Sequence, residues 1–247
     1  MVTSADPQSS WGRTAPLVKI CGVREPDDAR AAASLGADFI GIVFAPSRRQ
    51  VTMGQAQKIA AALRKTGFPG GRSPEVEAAT IERVLNESRP LLVGVFADQD
   101  AETINRIARE CKLDIVQLAG SEPWEMCAQI ERPVFKCLKV REDYTAAEVR
   151  ERIGEGGVPL LDPFVSGVYG GTGQRIDWDI AADVARSKTL VLAGGLSPEN
   201  VAQAVVSVRP WAVDVSSGVE TEGKKDVAKI RAFILAAKSP RSEEAHV

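Results

Sequence analysis

The chain has 247 residues, 26% of them charged, and a net charge of −2. Its basic and acidic residues are interspersed, which excludes a nucleic-acid-binding stripe and an acidic disordered body. No apolar run approaches the ~20 residues that span a bilayer. Its four cysteines form no C-x-x-C pair and its single histidine is His246, so neither a structural zinc site nor histidine-based catalysis is expected. Free thiols fit a reducing cytoplasm.

Residues 1–16 are polar and lack the basic start and apolar core of a signal peptide, so they read as a disordered N-terminal arm or linker. Residues 239–247 read as a flexible tail. Between them, residues 17–238 form one domain. Its apolar runs are Leu17–Cys21, Phe39–Phe44, Leu91–Phe96, Ile115–Leu118, Val134–Leu138, Val158–Leu161, Thr189–Leu192 and Trp211–Val215. They are Val/Ile/Leu-rich rather than alternating, as parallel strands covered on both faces are.

Helical patterns separate the runs. Pro26, Asp27 and Asp28 suit a first turn, and Gly36 reads as the residue that ends that helix. Residues 66–74 read as an insertion loop, followed by a helix over Glu75–Glu87 that resumes the scaffold, the insertion itself being peripheral. Ser197, ahead of Pro198 and Glu199, is the expected N-cap of a later helix.

Eightfold strand–helix alternation predicts an α/β chain with a single (β/α)8 TIM barrel, its sheet parallel and eight-stranded. A doubly wound open sheet usually carries G-x-G-x-x-G after its first strand, and Cys21-Gly22-Val23-Arg24 offers none. In such a barrel the chemistry sits at the C-terminal ends of the strands. Those ends read Cys21, the Phe44–Arg49 loop, Asp98, Gln117, Lys139, Asp162, Gly194 with Gly195, and Asp214.

Cys21 is either a buried small apolar residue or a thiolate acting as base or nucleophile, and position alone leaves both open. Asp162 is followed by Pro163 and a Gly-rich loop with no evident helix to cap, which favours a general acid whose pKa its surroundings raise. Adjacent Arg48 and Arg49 are either solvated or supply a bidentate clamp on a substrate carboxylate. The loops Ala193–Asn200 and Asp214–Glu220 follow the seventh and eighth runs, where barrels hold phosphate on backbone N–H groups. A phosphorylated small molecule is the expected ligand.

The ordered set of segments Val18-Lys19-Ile20-Cys21-Gly22, Gly36-Ala37-Asp38-Phe39-Ile40-Gly41, Ser47-Arg48-Arg49-Gln50-Val51, Val116-Gln117-Leu118, Leu160-Leu161-Asp162, Gly170-Gly171-Thr172-Gly173, Ala193–Val201 and Val213–Glu220 resembles the phosphoribosylanthranilate isomerase family over residues 17–237. The resemblance implies the third step of tryptophan biosynthesis. It is a cofactor-independent Amadori rearrangement of N-(5′-phosphoribosyl)anthranilate to 1-(o-carboxyphenylamino)-1-deoxyribulose 5-phosphate. It makes Asp162 the general acid at the furanose oxygen and Cys21 the general base at C2′. A thiolate there needs positive help, expected from nearby Lys19 or from the geometry of the bound substrate. The resemblance gives the anthranilate carboxylate to Arg49 and the phosphate to Gly194, Gly195, Ser216, Ser217 and Gly218. Asp214 holds a ribose hydroxyl or braces the site, and a Gly170–Gly173 lid brings Gly171 and Gly173 to the substrate.

One departure stands out. The family reads Gln-Leu-His-Gly where this chain has Gln117-Leu118-Ala119-Gly120. With acid, base and phosphate loops intact, that imidazole is expected to be dispensable. Competing readings are a related phosphosugar aminoaldose isomerase, which carries a carboxylate where this chain has Cys21, and a non-catalytic phosphate-binding barrel. The partners expected are a phosphosugar substrate, no nucleic acid and no membrane. The chain is expected to be a cytoplasmic monomer or a piece of a larger tryptophan-pathway fusion.

Overall fold

Strands buried on both faces need a layer on each side, and a closed barrel supplies both with one sheet. The computed structural model describes residues 15–64, 77–164 and 176–239. The insertion loop, Gly171 and Gly173, and nearly all of the two termini fall outside them. The strands are β1 Leu17–Cys21, β2 Phe39–Val43, β3 Leu91–Phe96, β4 Ile115–Leu118, β5 Val134–Val140, β6 Val158–Pro163, β7 Val191–Leu192 and β8 Ala212–Val215. They run parallel in sequence order, and β8 pairs back on β1 from Leu17↔Ala212 to Ile20↔Val215 to close the barrel. The expected fold is therefore the observed one. The helices are α1 Pro26–Ser34, α2 Met53–Ala62, α3 Glu77–Glu87, α4 Ala101–Glu110, α5 Ala146–Glu151, α6 Trp178–Ala185, α7 Val201–Val208 and α8 Val227–Lys238. No described helix is long and apolar enough to cross a membrane.

Alternate residues of each strand serve two cores. Val18 and Ile20, Ile40 and Ile42, and Val213 and Val215 face the helices. Leu17 and Cys21, Phe39 and Val43, and Val93 and Val95 face the barrel axis. At the N-terminal end of the axis Phe39, Phe135 and Trp211 meet with ring centroids 5.4–6.2 Å apart. Ile81, Val84 and Leu85 of α3 join this inner cluster. The Trp211 indole N–H donates to Glu82 Oε1 at 2.7 Å. The helix after the insertion thus closes the N-terminal mouth of the barrel rather than merely resuming a peripheral scaffold. Its apolar stripe of Ile81, Val84 and Leu85, three and four residues apart, fits an open barrel end as well as an outer wall.

Buried aspartates set the register at this end. Asp38, just before β2, accepts from the Val18 N–H of β1 at 2.8 Å, and Asp114, just before β4, accepts from the Leu92 N–H of β3 at 2.7 Å. Asp38 also meets Arg89 Nη1 at 2.8 Å and the α8 residue Lys238 at 3.0 Å.

Two local expectations change. Helix α7 starts at Val201 with Asn200 at its N-cap, not Ser197. The Asn200 side chain instead ties up the preceding loop, accepting from the Ser197 N–H at 2.9 Å and donating to the Gly195 carbonyl at 2.8 Å. The β5–β6 ladder also runs past both apolar runs, to Lys139↔Asp162 and Val140↔Pro163. Asp162 therefore lies inside a strand, with Lys139 as its cross-strand neighbour.

Candidate active site

At the C-terminal end of the barrel one pocket gathers Cys21 from β1, Arg49 from the loop after β2, Gln117 from β4, Asp162 from β6 and Asp214 from β8. Gly194, Gly195, Ser216 and Ser217 line the same pocket.

Cys21 has a fully buried lysine beneath it. Lys19 is two residues back on β1, hence on the same face, and its Nζ lies 3.1 Å from Asp214 Oδ1. Room for this cluster comes from Gly41 of β2. A Cβ there would sit 2.9 Å from Cys21 Sγ and 3.1 Å from Lys19 Nζ. A glycine inside a buried strand thus marks a close approach. Burial alone would lower the Lys19 ammonium, but the Asp214 carboxylate overrides it and holds the lysine above its usual value. Burial pushes the Cys21 thiol up and outweighs the Lys19 ammonium, which pulls it down. Lys19 thus favours the thiolate, as expected, but its charge reduces the rise that burial causes without reversing it.

Asp162 is buried and pairs with Lys139, whose Nζ lies 2.5 Å from Oδ2. Its other oxygen faces Gly194, where a Cβ would come within 3.3 Å of Oδ1 and 2.1 Å of Pro163 Cδ. Gly194 adopts φ +88° and Gly195 φ +58°, two successive left-handed residues that let the backbone after β7 turn beside the pocket. Gly218 stands behind the pocket wall. A Cβ there would lie 2.0 Å from the Leu196 carbonyl oxygen, so glycine lets the loops after β7 and β8 touch.

Arg49 is distinguished from Arg48 by burial, at 8% exposed, and by lining the pocket. Its Nε and Nη2 donate to the two carboxylate oxygens of Glu220 at 2.7 and 3.0 Å. Gly22, at φ +76°, leaves space for it, since a Cβ there would sit 2.4 Å from Arg49 Cδ. Glu220 also accepts from Lys225 at 2.9 Å and from Arg48 at 3.0 Å. Burial would raise the Glu220 carboxyl, but the Arg49 and Lys225 contacts override it and hold it at about 2.

Sequence reading missed Glu220 as the anchor of Arg49 and Lys139 as the partner of Asp162. It also assigned no role to Gln117. The signal for Lys139 and Gln117 was there, because both are strand-end residues. Glu220 carried none, since its pairing spans 171 residues. Cys137 lines the pocket as well, but burial pushes its thiol up to about 12, which leaves it inert.

Fold and pocket together define a (β/α)8 enzyme with titratable side chains converging where barrel chemistry occurs. A family model described as N-(5'phosphoribosyl)anthranilate (PRA) isomerase matches residues 60–236, and the chain belongs to that family. It is 44% identical to the N-(5'-phosphoribosyl)anthranilate isomerase of Dehalococcoides mccartyi, over 87% of this chain and 93% of that one. A solved phosphoribosyl anthranilate isomerase in complex with reduced 1-(o-carboxyphenylamino)-1-deoxyribulose 5-phosphate superposes with a TM-score of 0.67. It is 34% identical and matches 90% of this chain and 98% of its own. The chain is also 39% identical to part of the multifunctional tryptophan biosynthesis protein of Phycomyces blakesleeanus, matching 90% of itself and 32% of that protein.

Proposed function

We propose that this chain isomerises N-(5′-phosphoribosyl)anthranilate in tryptophan biosynthesis by proton transfer between its own side chains and the sugar. The observation that carries this reading is that Cys21 and Asp162, from opposite sides of the barrel, line one pocket with Arg49 and the loops after β7 and β8. The pocket has two halves. Val43, Ala45, Val95 and Ala119 make an apolar wall on the side of β2 to β4, below Arg49, and suit the aromatic ring with its carboxylate. Asp162, Asp214 and the glycine and serine loops make a polar side for the ribose and phosphate.

The Lys139–Asp162 pair delivers a proton to the furanose oxygen while the anilino nitrogen pushes its lone pair toward C1′, and the ring opens to an iminium. The Cys21 thiolate removes the C2′ proton to give an enolamine. Protonation of C1′ and loss of the enol proton then give the ketone and restore both groups. Each positioned acid or base is worth about 10²–10⁴-fold. Asp214, held by Lys19, contacts a ribose hydroxyl. Residues 17–238 form the catalytic domain, acting as a monomer. The four free cysteines suit a reducing cytoplasm.

The deciding experiment follows the fluorescence of phosphoribosylanthranilate formed in situ from anthranilate and phosphoribosyl pyrophosphate. The signal should decay on adding this protein. Persistence of the signal with a folded protein would remove the isomerase reading and point to a binding barrel. Asp162→Asn and Cys21→Ser should each lose at least about 100-fold in kcat, and near-wild-type turnover by either variant would cancel that residue's role.

A further inference from the structure

Gln117 is a buried polar side chain in the pocket wall, 6% exposed, and its Oε1 has no hydrogen-bond partner among the described residues. Buried acceptors are normally satisfied, and one left unpaired opposes folding by the cost of its desolvation. It lines the pocket on β4, beside Val95 of β3 in the ladder, with Ala119 two residues on. Gln117 therefore stands among the residues of the apolar wall, across the barrel from β8, which supplies Asp214. In the substrate, the group that joins an aromatic ring to a sugar is the anilino N–H. It is a donor whose intramolecular acceptor, the ortho carboxylate, is shared with Arg49 in the isomerase reading.

We infer that the Gln117 carbonyl accepts a hydrogen bond from the anilino N–H of the substrate. The inference rests on the isomerase reading above. Its chemical consequence is specific. When the ring opens, that nitrogen gives its lone pair to C1′ and becomes a cationic iminium N–H. A hydrogen bond to a charged donor is about twice as strong as a neutral one. The contact therefore tightens as charge develops, which lowers the barrel's activation barrier rather than simply improving binding. The amide suits the task better than a carboxylate, because a neutral acceptor stabilises the cation without taking its proton.

The test uses Gln117→Met, which keeps length and removes the acceptor. Two readouts separate a substrate role from a structural one. The melting temperature of the ligand-free variant should hold or rise by about 2–4 °C, because an unsatisfied buried acceptor has been removed. At the same time kcat should fall about 10- to 100-fold, with KM within about threefold of wild type. Turnover within about twofold of wild type would overturn the inference. So would a fall in melting temperature with kcat and KM damaged together, which marks a structural glutamine. Wild-type protein assayed in parallel keeps the two readings apart. An active wild type with an unaffected variant sinks only the Gln117 assignment, whereas an inactive wild type overturns both.

Discussion

At the scale of single residues, the site depends on charges paired in a dry pocket. Lys19 has no access to water and serves two neighbours, the Asp214 carboxylate and the Cys21 thiol. Because burial raises the thiol and only its thiolate can act as base, kcat should climb as pH rises above neutral. Lys19→Met removes the charge that limits this rise, so the ascending limb should move to higher pH. The same change strands Asp214 and should cost about 3–5 kcal/mol. A pH–rate profile at low temperature checks the first effect, and an unmoved limb would show that Lys19 does not act on Cys21. Glu220 works in the opposite direction. Its carboxyl is held at about 2, below the ordinary 4.5 of an unfolded chain. The stability it contributes is therefore complete above about pH 4.5 and is lost as pH falls toward about 2. Glu220→Gln should flatten the acid limb of the unfolding curve and, by freeing Arg49, raise KM about tenfold.

At the scale of elements, helix α3 has an unusual assignment. It carries Ile81, Val84 and Leu85 into the inner core and Glu82 to the Trp211 indole. A helix that only decorated the surface would tolerate truncation of these side chains. A plug should not, and Ile81→Ala should cost about 2–5 kcal/mol. Chemical denaturation measures this directly, and a loss under about 1 kcal/mol would return α3 to the periphery. The loop after β7 gives the converse lesson. Gly194, Gly195 and Asn200 shape it through backbone conformation and two side-chain hydrogen bonds, and none of them supplies a charge.

For the whole molecule, the two ends of the barrel divide the labour. The C-terminal end holds the pocket, and the N-terminal end holds the plug and the buried Asp38. That one carboxylate joins β1, Arg89 just ahead of β3, and α8, elements at both extremes of the chain. Asp38→Ala should destabilise the fold by about 3 kcal/mol while leaving kcat at 25 °C unchanged, since no part of the pocket touches it. Thermal melts paired with initial rates check both halves. A loss of turnover by the folded variant would contradict the division.

Strand order, barrel closure and the strand-end positions of Cys21, Asp162 and the loops after β7 and β8 around one pocket were legible in the chain. They depend on local pattern: Val/Ile/Leu runs, turn residues, and chemistry-bearing side chains where those runs end. Arg49 could be singled out from Arg48 only by resemblance until burial separated them. What the fold alone decided is everything that depends on distant segments meeting. Glu220 grips Arg49 across 171 residues, and Asp214 grips Lys19 across 195. The β5–β6 ladder carries Lys139 to Asp162, and α3 finds the open end of the barrel. The sign of the Cys21 shift is of the same kind. It is a contest between burial and a neighbouring charge, and neither has a magnitude until the barrel closes around them.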